Sequence, residues 1–179
     1  MKNISVNDET FSIRPAEESD AKSLADLGAR TFADAYSSIL PAEDLGAYLR
    51  QAFSVERMVE DITSTEVLLF VASTSEAVCA YIKLQPTTAP EPVEVINPIE
   101  LMRLYILSDR QGCGIGTALM DAAFAAARDR AYTTCWLKVW EGNRKAIGFY
   151  KSKGFSQIGN QAYPVGNVCR NVILMVCPL

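Results

Sequence analysis

The sequence predicts an α/β fold: a mixed, mostly antiparallel twisted sheet with a central parallel strand pair, flanked by helices. Three observations predict it. Between residues 99 and 153, strand-like apolar runs alternate with helical patterns in the order strand, helix, strand, helix, and a helical crossover is what joins parallel neighbours. On either side, β-prone segments separated by short turns read as antiparallel hairpins. The first strand of the alternating stretch runs into a polar turn with glycines at 112, 114 and 116, and an alanine-rich helix follows.

The elements follow in order. Residues 11–14 read as a first strand, closed by Pro15. Ser19 and Asp20 are N-cap residues for a helix from about residue 21 to 36, with Leu24, Leu27, Phe32 and Tyr36 among its apolar positions. Pro41 with Glu43 and Asp44 opens a second helix towards Phe53, because proline suits a first turn and carboxylates suit its positive end. Ser54 caps a short third helix through Met58 and Ile62. Residues 67–73 and 78–85 are strands joined by a tight turn near Ser75 and Glu76. The stretch that follows is punctuated by Pro86, Pro90, Pro92 and Pro98 and reads as a loop over 87–98. Strand 99–107, helix 114–131, strand 133–140 and helix 143–153 come next. Residues 155–163 and 168–177 close the chain as a hairpin around Pro164, Val165, Gly166 and Asn167.

The bulk properties exclude several classes. A length of 179 residues with 49% hydrophobic and 21% charged content suits one globular domain over residues 1–179. No apolar run approaches membrane-spanning length, and Met1–Ser5 lacks an apolar secretory region, so a cytoplasmic location without membrane attachment is expected. There are no histidines, which removes His-based triads and the usual zinc catalytic sites; no metal is expected. Acid–base work falls to Glu, Asp, Tyr, Cys or Lys. The net charge is −4 and no basic stretch occurs, so nucleic acid is not an expected partner. Cysteines 79, 113, 135, 169 and 177 form no C-x-x-C pair and read as reduced thiols. Cys113 stands apart, at a helix N-terminus where a thiolate is favoured.

Gly112, Gly114 and Gly116 leave backbone N–H groups uncovered by side chains at a helix start, where free amides and the helix dipole both favour an anion. Three phosphate loops compete for this pattern. The P-loop needs Gly-Lys-Ser/Thr at its end, but no lysine precedes Thr117. The dinucleotide fingerprint needs G-x-G-x-x-G and an acid about 20 residues on, whereas the glycines here run G-x-G-x-G and residues 133–139 hold no acid. The third is Gln/Arg-x-x-Gly-x-Gly/Ala, the pyrophosphate loop of acetyl-CoA-dependent N-acetyltransferases. Gln111, Gly112, Cys113, Gly114, Ile115 and Gly116 fit it at each fixed position. The bland alternative is a glycine-rich turn, which would cost helix propensity to no purpose.

Beyond the loop, the chain resembles the GNAT superfamily of N-acetyltransferases over about residues 99–160. Glu100, Leu101, Met102, Arg103, Leu104, Tyr105 and Ile106 are similar to that family's fourth strand. Trp136, Leu137, Lys138, Val139, Trp140, Glu141, Gly142 and Asn143 are similar to its fifth strand and exit. The helix after Asn143, with Tyr150 seven residues on and Gly154-Phe155 closing it, is similar to the next element. Residues 31–36 and 45–53 resemble PaiA-type spermidine/spermine acetyltransferases.

The resemblance implies the GNAT fold, acetyl-CoA as co-substrate, and a set of roles. The backbone of Leu104, Tyr105 and Ile106 would pair with the pantetheine arm as an added strand does. Gln111, Gly112, Cys113, Gly114, Ile115, Gly116 and Thr117 would hold the pyrophosphate, with Asn143 adding a CoA contact. Asn143 is also a good N-cap by its type. Tyr150 is the implied general acid for the leaving thiolate; its alternative is a core tyrosine packed beside Ala146 and Ile147. Glu100 is the candidate base, at the place where histone-type members carry a catalytic glutamate. Alternation puts it on one face with Met102, Leu104 and Ile106, and pairing with Arg103 or another cation is its alternative. Peptide-N-terminal enzymes of the family often carry a base glutamate five residues before the asparagine. Here Lys138 stands there.

The N-terminal helices correspond to the family's variable acceptor wall, where Asp34 is a candidate amine-attracting group and Glu43 and Asp44 serve a helix start. The expected function is transfer of an acetyl group from acetyl-CoA to a primary amine, first a polyamine and second a protein or peptide amine. A non-catalytic acyl-CoA-binding sensor is the rival from another class. The expected partner is a small-molecule amine, and a homodimer stays open.

Overall fold

The computed structural model describes residues 2–6, 9–89, 91, 95–165 and 168–179. Among these, eight strands join one sheet: β1 (Lys2–Val6), β2 (Glu9–Pro15), β3 (Leu68–Ser73), β4 (Val78–Gln85), β5 (Pro98–Ile106), β6 (Thr134–Trp140), β7 (Ser156–Val165) and β8 (Val168–Pro178). The helices are α1 (Ala21–Tyr36), α2 (Ala42–Ala52), α3 (Val55–Thr63), α4 (Ile115–Asp129) and α5 (Arg144–Ser152). The strand order is β1-β2-β3-β4-β5-β6-β8-β7. Only β5 and β6 run parallel, with α4 as their crossover; the other neighbours are antiparallel. The predicted fold class is therefore the one observed.

The sheet is buried on both faces. Ile82, Leu84, Ile99, Leu101, Leu137 and Val139 pack with Leu119, Met120 and Ala123 of α4 and Tyr150 of α5. Leu69, Val71 and Tyr81 pack on the opposite side against Leu24 and Leu27 of α1 and Met58 of α3. A third cluster of Phe32, Leu40 and Phe53, with Tyr36, Tyr48 and Tyr105 against it, fastens α2 to α1 and the sheet.

Local signals act largely as the sequence suggests. The Ser54 hydroxyl accepts from the Arg57 N–H at 3.1 Å and starts α3. The Asn143 side-chain Oδ1 accepts from the Ala146 N–H at 3.1 Å and starts α5. Asp20 departs from expectation. Its carboxylate makes no cap bond to α1 but takes a two-pronged contact from Arg14, at 2.7 and 2.9 Å, and the Glu17 N–H at 2.8 Å. A 3-10 turn over Glu18–Asp20 precedes α1, so Asp20 is already helical in its backbone and not extended as a capping residue is. The predicted helix 114–131 spans Ile115–Asp129, and Ala131 takes φ of 61°. β7 continues through Pro164 and Val165, leaving residues 166 and 167 of the expected turn outside the described residues. β1 was not foreseen. It is a short, mostly polar edge strand held by its register with β2.

Two irregularities build the site. Opposite Lys83 and Leu84 of β4 stand Arg103 and Leu101 of β5, so Met102 is an extra residue, a β-bulge. The bulge reverses the alternation. Ile99 and Leu101 before it share the α4 side with Leu104 and Ile106 after it. Glu100 lies between the first two and points to the other side, with Arg103 and Tyr105. The expectation that Glu100 shares a face with Leu104 and Ile106 is corrected on this ground. The second irregularity is that β5 and β6 pair only over Pro98–Glu100 and Thr134–Trp136. Beyond that, β5 continues beside β4 and β6 beside β8, and the two strands part.

Candidate active site

A cavity of about 790 Å³ occupies the place where β5 and β6 part. Its lining comes from both faces of the sheet. Gly116 and Thr117 of α4 and Ala146, Phe149 and Tyr150 of α5 come from one side; Phe32, Asp34, Tyr36 and Tyr48 come from the other. Leu104, Tyr105 and Ile106 of β5 line the opening between them. No β6 strand pairs with that length of β5, so its backbone edge is open to a ligand that can hydrogen-bond along it.

The glycine loop lies at one end. Gly112 and Gly114 have φ of 83° and 78°, a region that favours glycine, and nothing lies within 4 Å of where a Cβ would stand on either. Gly116 answers a different demand: a Cβ there would meet Ile106 Cδ1 at 3.0 Å and Phe149 Cζ at 3.3 Å. Gln111 is held twice. Its Nε2 donates to the Ile106 carbonyl at 3.1 Å, and its Oε1 accepts from Lys145 Nζ at 2.6 Å. Arg110, just before the loop, pairs with Glu9 at the start of β2. Gln111, Gly112, Gly114, Gly116 and Thr117 line the cavity, whereas Ile115 is buried in the α4 core and Cys113 lies off the cavity, half-buried.

Asn143 caps α5 from the cavity rim, and Tyr150 follows two turns later on the cavity wall. The Tyr150 ring is edge-on to Phe149 and Phe155, with centroids 5.7 and 5.6 Å away. Burial raises its phenol above the ordinary tyrosine value, so it is a protonated donor across the physiological range.

Glu100 is 4% exposed and lines the cavity from the α1 side. Lys138 Nζ lies 3.3 Å from its Oε1, and the Thr87 hydroxyl donates to its Oε2 at 2.8 Å. The expected alternative of a paired carboxylate is thus present, with Lys138 as the cation and not Arg103. The Lys138 ammonium also sits over the rings of Trp136 and Tyr163, at 5.1 and 5.6 Å. Asp34 reaches the cavity from the last turn of α1.

Several lining residues escaped the sequence reading. Tyr36 tilts against Trp140 at 6.0 Å and stacks on Phe32 at 4.4 Å, while Tyr48 stacks on Phe32 at 4.5 Å. Burial raises both tyrosine phenols. Arg103 lies over Phe53, 4.6 Å to its centroid, and donates to the Ala52 carbonyl at 2.9 Å. Arg170 of β8 donates to the Ile39 carbonyl at 2.8 Å. Lys145 was hidden in a helix that drew attention only to Asn143 and Tyr150. Arg103 and Arg170 could both have been flagged as cations inside strands, but the contact of Arg170 with Ile39 carries no local signal.

Residues 32–155 match the Acetyltransferase (GNAT) family. The chain belongs to that family. As a GNAT N-acetyltransferase it is an acetyl-transferring enzyme. It is 25% identical over 150 residues to an uncharacterized N-acetyltransferase of Lactobacillus delbrueckii subsp. lactis, covering 84% of this chain and 87% of that one. Over a shorter stretch of 87 residues it is 30% identical to the ribosomal protein bS18-alanine N-acetyltransferase of Escherichia coli, covering 48% of this chain and 59% of that one. Its fold is similar to the crystal structure of PaiA N-acetyltransferase from Thermoplasma acidophilum in complex with coenzyme A, with a TM-score of 0.78 at 20% identity, covering 94% and 99% of the two chains. Among the described residues no helix is long and apolar enough to cross a membrane, and no three His, Cys, Asp or Glu side chains group as metal ligands.

Proposed function

We propose that this GNAT enzyme transfers an acetyl group from acetyl-CoA to a primary amine directly, both substrates meeting in the gap between β5 and β6. The observation that carries the reading is the joint placement of a glycine cradle, an open strand edge and a buried phenol around one cavity. Bound acetyl-CoA supplies the activated acetyl thioester. The open positions at Gly112 and Gly114 fit a pyrophosphate brought close to backbone amides, and Lys145 beside Gln111 adds a cation there. The edge of Leu104, Tyr105 and Ile106 suits the amide-bearing arm.

A primary amine of pKa about 10.4 reaches the site mostly protonated. Glu100 accepts its proton through water: Thr87 and Lys138 each occupy one carboxylate oxygen, and lone pairs remain on both. The amine nitrogen bonds to the acetyl carbon as the carbon–sulfur bond breaks. Tyr150, on the opposite face of the sheet from Glu100, gives its proton to the departing sulfur, and the second proton shed by the nitrogen as the amide forms returns through water to the Tyr150 phenolate. Acceptor amine and leaving thiolate are thus served from opposite sides of one opening. The products are an N-acetyl amide and free CoA thiol.

For the acceptor, the net charge of −4 and the likeness to PaiA-type enzymes support a polyamine, with Asp34 drawing it in. The cavity lining weighs the other way, since Arg103, Lys138, Lys145 and Arg170 face only Asp34 and Glu100. Thiol release from acetyl-CoA in the presence of primary amines tests the reaction. Gly114→Glu, which sets bulk and negative charge in the open space of the loop, is expected to abolish both turnover and CoA binding by calorimetry while the chain stays folded. Unchanged CoA affinity in that variant would reject the cradle.

A further inference from the structure

We infer that the acceptor is a small amine that also carries a carboxylate, held by Arg170 and Arg103 on the α1 side of the cavity. The inference rests on the acetyl-transfer reading and narrows its acceptor.

The charges of the cavity can be assigned one by one. Lys145 is engaged with Gln111 at the glycine loop, the end proposed for phosphate. Lys138 is neutralised by Glu100. Two guanidiniums then remain, Arg103 and Arg170, and among the described residues neither has a carboxylate partner. Each donates once to a main-chain carbonyl, Arg103 to Ala52 and Arg170 to Ile39. Each also keeps a buried nitrogen without a hydrogen bond of good geometry: Nη1 of Arg103, beside the Tyr81 hydroxyl, and Nε of Arg170. A half-buried guanidinium with a buried spare donor and no counter-ion is unfavourable, and a ligand anion relieves it. Guanidinium forks suit a carboxylate because they can donate in pairs.

The two arginines come from strands on opposite sides of the gap, β5 and β8, and both carbonyl acceptors belong to the helical wall. Asp34, left over once Glu100 is set against Lys138, lines the same cavity and supplies the complementary site for an ammonium. A wall with separate cationic and anionic groups matches a zwitterion. A polycation would find Asp34 but would still meet two arginines that no carboxylate of the described residues pairs. Two sources carry such chemistry, a free amino acid and a short peptide with its terminal carboxylate, and both present an amine and a carboxylate together.

The test is paired. Thiol release from acetyl-CoA is measured with amine acceptors that differ only in a carboxylate: lysine with cadaverine, ornithine with putrescine, tyrosine with tyramine. A dipeptide and its C-terminal amide form a further arm that separates the free amino acid from the peptide. In the wild-type enzyme the carboxylate-bearing member should have a kcat/KM higher by about 10-fold or more, because a site built for a polar group rejects the analogue that lacks it. In Arg170→Gln, which retains a donor for the Ile39 carbonyl, that ratio should fall towards one, and Arg170→Lys should restore part of it. Arg103→Gln provides the same reading from the other strand. Equal or greater activity with the decarboxylated amines overturns the inference and leaves acetyl transfer standing. A preference for carboxylates that survives in both arginine variants also overturns it. No thiol release with any member of any pair, from protein that binds CoA, overturns the acetyl-transfer reading and the inference together.

Discussion

Tyr150→Phe separates chemistry from packing. The side chain is 9% exposed, and its ring is held between Phe149 and Phe155 with centroids 5.7 and 5.6 Å away. The substitution removes only the hydroxyl, which makes no hydrogen bond to the described residues, so those ring contacts survive. Stability should change by no more than about 1 kcal/mol, the net worth of one hydrogen bond, and the melting temperature by roughly 2–4 °C for a chain of this size. Loss of a general acid typically costs 10²- to 10⁴-fold, and water can stand in for part of it. A fall in kcat of about 10-fold or more, or about 1.4 kcal/mol of barrier, is the expected minimum. The pH profile adds a second check. Because burial raises the phenol above its ordinary value, Tyr150 keeps its proton in alkaline solution, and kcat of the wild-type enzyme should not fall through its ionisation below about pH 10. Steady-state kinetics with saturating acetyl-CoA from pH 7 to 10 measure both. A variant kcat within about twofold of wild type would refute the role. A wild-type decline near pH 9 that disappears in Tyr150→Phe would instead contradict the raised phenol while assigning the acid role to Tyr150.

Two further outcomes follow from other contacts. Glu100→Gln should reduce kcat/KM most near pH 7, where only about 0.04% of an amine of pKa 10.4 is already neutral, and progressively less towards pH 10; a uniform loss at all pH values would assign Glu100 a structural role through Lys138 and Thr87. Asp20→Asn should lower stability by about 2 kcal/mol at pH 7, because a buried carboxylate loses its charged bond to Arg14. Its carboxyl is held below the ordinary value, chiefly by the Arg14 hydrogen bond, so this stabilisation is complete above about pH 4 and is lost as pH falls through the folded value. Denaturant unfolding at pH 7 and pH 3 should show the gap between the two proteins narrowing, and a constant gap would disprove the linkage.

The central fold was legible because its signals are local. Alternating periods between residues 99 and 153, glycines at a helix start, and the caps at Ser54 and Asn143 are each written within a few residues. The parts that stayed hidden depend on what lies across the sheet. The bulge at Met102 is a mismatch of register with β4, about twenty residues earlier in the chain, and it alone decides which way Glu100 points. Lys138 showed in the sequence only as a missing glutamate; its pairing with Glu100 required β5 and β6 to be side by side. Arg170 reaches the carbonyl of Ile39 from 131 residues away, a separation over which no spacing rule operates. β1 escaped because a polar edge strand takes its order from β2 and not from its own pattern.

The short parallel seam has a mechanical consequence. Five strands, β1 to β5, and three, β6 to β8, are each fully laddered, yet the two groups share main-chain pairing over only three positions, Pro98–Glu100 against Thr134–Trp136. Between them the sheet behaves as two plates joined at one corner. Main-chain opening should be easiest along that seam, where few hydrogen bonds must break. A ligand that bonds along β5 while touching β6 and α5 bridges the plates and adds stiffness where the polypeptide has least. Amide exchange in β5 and β6 should therefore slow together on ligand binding, while β1 and β7 at the two outer edges keep their own rates.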